Sequence, residues 1–189
     1  SVVYSPLPAG VNKGINYAAD GKSATLVFYT PYPSTDTSNK VSDIYVIGDF
    51  NNWTPMAEYM MYRSTEVSRS DDSWWITIPN LEPGKEYGFQ YLVSYKNGDV
   101  KRIADPYCQK IQDPWNDKWI NQYNSIFPNL KAYPDGKTDG LVATLQTTKT
   151  AYRWEVPTFA MPPRENMVIY ELLLRDFTTQ KSLEAAITH

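Results

Sequence analysis

The sequence predicts an all-β protein folded as an antiparallel β-sandwich. About seven short segments alternate apolar and polar residues with the period of a strand, and turn residues separate them at hairpin spacing. The sequence shows no amphipathic helical pattern between these segments. Aromatic residues make up 14% of the 189 residues, and tyrosine, the most frequent aromatic, favours sheets over helices.

Two dipeptides predict tight hairpins. Asp20-Gly21 separates a strand at residues 15–17 from one at 24–30, and Asn97-Gly98 precedes a strand at 100–103. Both dipeptides accept the positive φ angles that two-residue turns require. The prolines and polar residues of 31–40 predict an exposed loop before the next strand, at 43–48.

Alternation assigns side chains to the two faces of the later strands. A short strand is predicted at residues 59–62, followed by a turn at 68–72. In the strand that follows, Trp74 faces the core and Trp75 faces solvent. In the long strand near residue 90, the residues that share the core face are Tyr87, Phe89, Tyr91 and Val93, whereas those that point outward are Gly88, Gln90 and Leu92.

Composition excludes several classes of function. A net charge of −3 and a pI near 5.2 leave no basic field for nucleic acid, and no apolar run approaches the roughly 20 residues of a membrane span. Cys108 is the only cysteine and is expected to be a buried small hydrophobe. His189 is the only histidine, so neither histidine-dependent catalysis nor a histidine-rich metal site is expected. We expect no cofactor and no metal.

The candidate site is the loop that follows the strand at 43–48. It carries two amides, Asn51 and Asn52, directly before Trp53. An indole can stack on the apolar face of a sugar while amides bind its hydroxyl groups. Trp53 is equally explained as an anchor that folds over the sheet edge, and spacing alone does not separate these alternatives.

These residues carry a family resemblance. The GDFNNW sequence at 48–53, the segment LEPGKEYGFQY at 81–91 and Ala104-Asp105-Pro106 resemble the family 48 carbohydrate-binding module over residues 22–107. That resemblance implies an immunoglobulin-like sandwich of the early-set type. It also implies a stacking platform in which Trp53 and Gln90 occupy two positions. Trp75, which faces solvent in its predicted strand, is a further candidate for sugar binding. The third position falls near Val100 or Lys101, where no aromatic stands, so glucan binding is expected to be weak or missing.

The C-terminal segment has a different character. Residues 167–174 are almost continuously apolar, which is typical of a strand buried in a parallel sheet, and Ser182 is a candidate N-cap for a following helix. Residues 167–177 resemble the first barrel strand and loop of the α-amylase family, the family 13 glycoside hydrolases. The resemblance implies a retaining enzyme with a (β/α)₈ barrel, of which this chain would hold only the beginning. Its catalytic carboxylates would lie on later strands, so no catalytic residue is assigned, and Glu171 and Asp176 are expected to be structural.

We therefore expect four regions. They are an N-terminal arm at 1–14, the module-like sandwich at 15–107, an aromatic-rich connector with short strands at 108–165, and a truncated barrel start at 166–189. The connector is expected to carry strands at 141–145 and 152–156. The acidic residues of 113–117 lack the ligand spacing of a calcium loop and are expected to form a capped turn.

Three functions remain open from the sequence. The chain can be an accessory module that packs against the missing barrel of an enzyme acting on α-glucans, inactive on its own. It can be a glucan-binding module centred on Trp53, with an α-glucan oligosaccharide as partner. It can also be an immunoglobulin-like scaffold domain of a non-enzyme. The compartment is open, with an exported bacterial protein favoured over a cytoplasmic one because enzymes that degrade polysaccharide are often exported.

Overall fold

The computed structural model describes residues 1–31, 40–64, 71–123, 129–180 and 182–188. Within these ranges the regular elements are the strands β1 Gly14–Tyr17, β2 Ala24–Pro31, β3 Val41–Gly48, β4 Tyr62–Arg63, β5 Asp71–Ile78, β6 Glu86–Tyr95, β7 Val100–Ile103, β8 Ile111–Gln112 and β9 Val142–Gln146, and the short helices α1 Leu174–Phe177 and α2 Leu183–Ile187. Single turns of 3₁₀ helix occur at Asp49–Asn51, Ala57–Tyr59 and Arg164–Asn166, and a longer one at Asp117–Tyr123.

The strands form two antiparallel sheets, which confirms the predicted all-β sandwich. The first sheet has the order β1-β2-β5-β4. The second has the order β3-β6-β9-β8, and β7 pairs with the part of β6 that β9 leaves open. Both predicted hairpins are present, since β1 pairs with β2 and β6 pairs with β7.

The main core lies between the sheets and follows the predicted alternation. Trp74 is fully buried in β5, while its neighbour Trp75 is half-buried on the opposite face. The predicted core residues of β6 are all buried, and Phe28 of β2 stacks on Tyr91 with ring centroids 4.4 Å apart. Cys108, which was expected to be buried, packs against this core but is only partly buried.

Three predicted strands differ from the structure. In residues 59–62 only Tyr62 lies in a strand, because Ala57–Tyr59 forms a 3₁₀ turn and Met60 makes a single bridge to Tyr45. Residues 152–156 and 167–173 form no strand, and Val168 is 94% exposed. A strand needs a partner for its backbone groups, and no described residue pairs with either segment. Residues 32–39 of the predicted loop and 68–70 of the predicted turn lie outside the described residues, whereas Pro31 ends β2 and Asp71 begins β5.

The second sheet continues past residue 107, where the predicted sandwich ends. Both β8 and β9 come from the region predicted as a connector, and β9 hydrogen-bonds to β6 from Glu86 to Phe89. The chain divides into two compact units, Ser1–Thr150 and Ala151–His189. In the second unit the Ser182 hydroxyl accepts a hydrogen bond from the Ala185 amide at 3.2 Å, which confirms the predicted N-cap of α2.

Candidate functional site

The loop that follows β3 is held by its own amides. Gly48 ends the strand, and the Asn51 side chain folds back on it. The Asn51 Oδ1 accepts from the Gly48 amide at 2.9 Å, and its Nδ2 donates to the Val46 carbonyl at 2.8 Å. Both polar ends of this buried amide are therefore used inside the protein, whereas Asn52 is exposed and adopts a left-handed backbone at φ 50°.

Trp53 is buried, with 7% of its surface exposed. It also has a left-handed backbone, at φ 60°, a conformation that costs a residue with a Cβ about 1–2 kcal/mol. The indole packs with Ile47, Tyr133 and Val142 in a second hydrophobic cluster. This cluster lies on the face of the second sheet that points away from the main core. The free energy gained by burying the indole in it offsets the backbone strain.

Asp49 joins the loop to two other parts of the chain. Its Oδ1 accepts from the Trp53 Nε1 at 3.2 Å, and its Oδ2 accepts from the Gly88 amide at 2.7 Å. The Lys131 ammonium lies 2.9 Å from the same Oδ2. One carboxylate thus fixes the indole of Trp53, the start of β6 and a lysine far along the chain.

Gln90 is fully buried beside this cluster. Its Nε2 donates to the carbonyls of Asp139 and Leu141 at 2.6 and 2.8 Å, and its Oε1 accepts from the Thr138 hydroxyl at 2.6 Å. The outward direction predicted for Gln90 is therefore right, but the side chain meets protein there instead of solvent.

The partners of Trp53, Asp49 and Gln90 belong largely to residues 129–141, which we call the cover segment. Tyr133 is buried within it, and its hydroxyl donates to the Gly140 carbonyl at 2.8 Å. Burial raises the pKa of Tyr133, and the nearby carboxylates of Asp139 and Asp135 raise it further. The Gln112 Nε2 of β8 donates to the Ala132 carbonyl at 2.6 Å, which fixes the start of the same segment.

Trp75 does not join Trp53 and Gln90. It lies in β5 of the first sheet, where its Nε1 donates to the Ser5 carbonyl at 3.1 Å and its ring lies 4.9 Å from that of Tyr62. The candidate residues are thus distributed over two sheets. At the third platform position Val100 is exposed, and the Lys101 ammonium lies 5.3 Å from the centre of the Tyr95 ring.

The described residues hold neither a metal centre nor a membrane span. Within the described ranges, no three Asp, Glu, His or Cys side chains converge as metal ligands would. The capped turn predicted at 113–117 is confirmed, because the Asp113 Oδ1 accepts from the Trp115 amide at 2.7 Å. Among those same residues, α1 and α2 contain four and five residues, so neither is a candidate membrane span.

Sequence comparison finds relatives over about half of the chain. The chain is 40% identical over 99 residues to the 1,4-alpha-glucan branching enzyme GlgB 2 of Clostridium perfringens strain 13, which is 52% of this chain and 13% of the relative. It is 34% identical over 99 residues to GlgB of another Clostridium perfringens strain, with the same coverage, and 31% identical over 67 residues to GlgB of Bacillus subtilis strain 168. The match to the Bacillus subtilis enzyme covers 35% of this chain and 10% of that relative.

Two other comparisons add little. No protein-family model matches the chain. A type III pullulan hydrolase from Thermococcus kodakarensis aligns in structure over 48% of this chain and 13% of its own, with 13% identity and a TM-score of 0.33.

The relatives confirm the resemblance to enzymes of the α-amylase family. Over about half of its length the chain is similar to α-glucan branching enzymes, and it spans about an eighth of the length of the first two.

Proposed function

We propose that this chain is the N-terminal accessory module of an enzyme that acts on α-glucans, and that it packs against the catalytic barrel of that enzyme. The observation that carries the proposal is the 34–40% identity to α-glucan branching enzymes over 52% of the chain. The relatives are α-glucan branching enzymes by name, and the match covers only 13% of the length of the first two, as expected for one module of a larger enzyme.

The closed outer face of the second sheet supports packing over glucan binding at Trp53. A stacking platform needs an accessible ring face, but Trp53 is 7% exposed and Gln90 has no exposed surface. Both side chains use their polar atoms within the protein. We therefore assign Trp53 and Gln90 to holding the cover segment in place.

We assign an exposed apolar surface of the second unit to contact with the other strands of the catalytic barrel. Val168, Ile169 and Tyr170 are between 77% and 94% exposed, and exposed apolar runs of this kind mark contact surfaces. We expect the resemblance at residues 167–177 to reflect a strand that forms only beside its barrel neighbours. Since we assign no catalytic carboxylate to this chain, we expect it to be inactive alone, whereas the parent enzyme would act with retention through two carboxylates about 5–5.5 Å apart.

The test uses the complete gene product that contains these residues and a version that lacks residues 1–150. Both are assayed on amylose, glycogen and pullulan, and the thermal midpoints of both are measured. We expect the complete product to act on at least one α-glucan and the shortened version to unfold at a lower temperature, because its module-facing surface is exposed. A complete product that acts on no α-glucan, or a shortened version with unchanged stability, contradicts the proposal.

A further inference from the structure

A cleft of about 340 Å³ opens at the edge of the sandwich, away from the Trp53 loop. It lies where β1 of the first sheet approaches β9 of the second. The Tyr17 hydroxyl of β1 accepts a hydrogen bond from the backbone N–H of Gln146 in β9 at 3.1 Å. This contact joins the two sheets beside the cleft. Every residue that lines it belongs to the first compact unit.

Two tyrosines give the cleft its aromatic character. Tyr17 is 47% exposed and Tyr107 is 57% exposed, so both offer ring surface to a ligand. The backbone under Tyr107 is well fixed, because its amide donates to the Asp105 Oδ1 at 2.7 Å. Its Cβ also lies only 2.6 Å from the position that a Cβ would take on Gly14, so a glycine is required there.

Most of the charge in the wall of the cleft is compensated. Glu86 and Lys110 form an ion pair at 2.6 Å, which compensates both charges, and Lys149 is the one further charged residue in the wall. The Gln109 side chain is exposed, and the Gln146 Nε2 donates to the Gly84 carbonyl at 2.8 Å, which leaves its oxygen as an acceptor. Amides and a paired carboxylate suit hydroxyl groups, since they donate and accept without demanding an opposite charge.

We propose that this cleft binds a short stretch of α-glucan, with Tyr107 and Tyr17 packed against the sugar rings and the amides of Gln109 and Gln146 bonded to the hydroxyls. The identity of the sugar rests on the proposed function, whereas the preference for a neutral, hydroxyl-rich ligand rests on the cleft alone. Its volume lies at the lower end of the roughly 300–1,000 Å³ of small-molecule sites. The site is therefore sized for a few sugar units, and the rest of the glucan would extend into solvent.

The test is calorimetric titration of the 189-residue chain with maltoheptaose, with cellohexaose as the β-linked comparison. Tyr107→Ala removes the ring and keeps the Cβ beside Gly14, so the fold is expected to be preserved. Tyr107→Phe keeps the ring. Trp115→Ala is the matched control, because Trp115 is 71% exposed but lies outside the cleft. Circular dichroism of every variant verifies that its sheet content equals that of the wild type.

We expect saturable, weak binding of maltoheptaose and at least about a fivefold rise in Kd for Tyr107→Ala. Tyr107→Phe and Trp115→Ala are expected to stay within twofold of the wild type, and cellohexaose is expected to bind more weakly. A wild-type chain without saturable heat, or an unchanged Kd in Tyr107→Ala, overturns the proposal, as does a loss of binding in Trp115→Ala.

The result can be read separately from the test of the proposed function. If the complete gene product acts on α-glucans but the 189-residue chain binds no maltoheptaose, only the proposal for the cleft is refuted. If the chain binds maltoheptaose through Tyr107 but the complete gene product has no α-glucan activity, the proposed enzyme function is refuted and the chain is a sugar-binding module.

Discussion

At the scale of single residues, Asp49 has the largest predicted effect on stability. Its carboxylate accepts from two N–H groups and pairs with Lys131, and one of its donors is the backbone of buried Gly88. Asp49→Ala leaves the Gly88 amide and the Trp53 indole without an acceptor. We expect a loss of about 2–4 kcal/mol in the free energy of unfolding, measured by urea titration.

Lys131→Ala is the control for this prediction. It removes only the ion pair, whose two side chains remain 29% and 23% exposed, so we expect a loss of less than about 1 kcal/mol. If Lys131→Ala costs as much as Asp49→Ala, the ion pair and not the N–H acceptor role dominates, and our account of Asp49 is wrong.

Asp105 gives a pH-dependent prediction. Burial raises the pKa of this carboxyl above its ordinary value of 3.8, although the Tyr91 hydroxyl and the Tyr107 amide both donate to it and oppose the rise. The folded protein therefore holds this proton more tightly than the unfolded chain does. The stabilisation that comes from this tighter proton binding is fully present below pH 3.8 and is lost as the pH rises through the elevated pKa of the folded protein. It amounts to about 1.4 kcal/mol if folding raises the pKa by one.

Asp105→Asn is expected to remove that part of the pH profile. The amide oxygen can still accept from the Tyr107 backbone, and the amide NH₂ can donate to the Tyr91 hydroxyl, so the local contacts are retained. Urea unfolding of both proteins at several pH values, from just below the ordinary pKa of 3.8 up to neutral pH, measures the difference. Asp135→Asn, at an exposed turn position, is the control. An unchanged profile in Asp105→Asn disproves the assignment.

At the scale of elements, the contact between β3 and β6 allows no side chain at Gly48. A Cβ there would lie 2.5 Å from the Gly88 carbonyl oxygen, a backbone atom that cannot move without disturbing β6. We expect Gly48→Ala to cost about 3 kcal/mol, because overpacking must displace the strand. Gly136→Ala meets open space and only strains a positive φ of 77°, so about 1 kcal/mol is expected. Equal losses in urea unfolding would show that the close strand approach is tolerated.

Elements whose pairing is local were predictable from the sequence. The β1–β2 and β6–β7 hairpins depend on turns of a few residues, and the alternation that buries Trp74 depends on the strand period alone. The predicted strands at 152–156 and 167–174 were not confirmed, since an apolar run becomes a strand only where another strand accepts its backbone hydrogen bonds.

The candidate site was less predictable for the same physical reason. The direction of Gln90 follows from the strand period, but its burial comes from Thr138 and Asp139, almost 50 positions later in the chain. The cleft is a similar case, because Tyr17 and Tyr107 meet only when the two sheets pack. The sequence held one sign of this contact, the glycine at position 14, because the backbone there must approach Tyr107 closely.

At the scale of the whole molecule, the start of the second compact unit is a predicted site of proteolysis. Residues 151–173 contain Arg153 and Arg164, both exposed, and carry no strand pairing. We expect limited trypsin digestion, followed by mass spectrometry, to cut after these arginines before it cuts within the described strands. An Arg153→Gln and Arg164→Gln double variant should delay this cleavage. Earlier cleavage within β5 or β6 would mean that the first unit is the less stable one.

The distribution of the six tryptophans makes the chain its own optical probe. Trp53 and Trp74 are shielded in the two separate hydrophobic clusters, whereas Trp115, Trp119 and Trp154 are between 46% and 72% exposed. Acrylamide should therefore quench a red-shifted fraction of the fluorescence readily and leave a blue-shifted fraction almost untouched. Because Trp53 reports on the outer face of the second sheet and Trp74 on the main core, single replacements by phenylalanine would show whether the two clusters melt together or in succession.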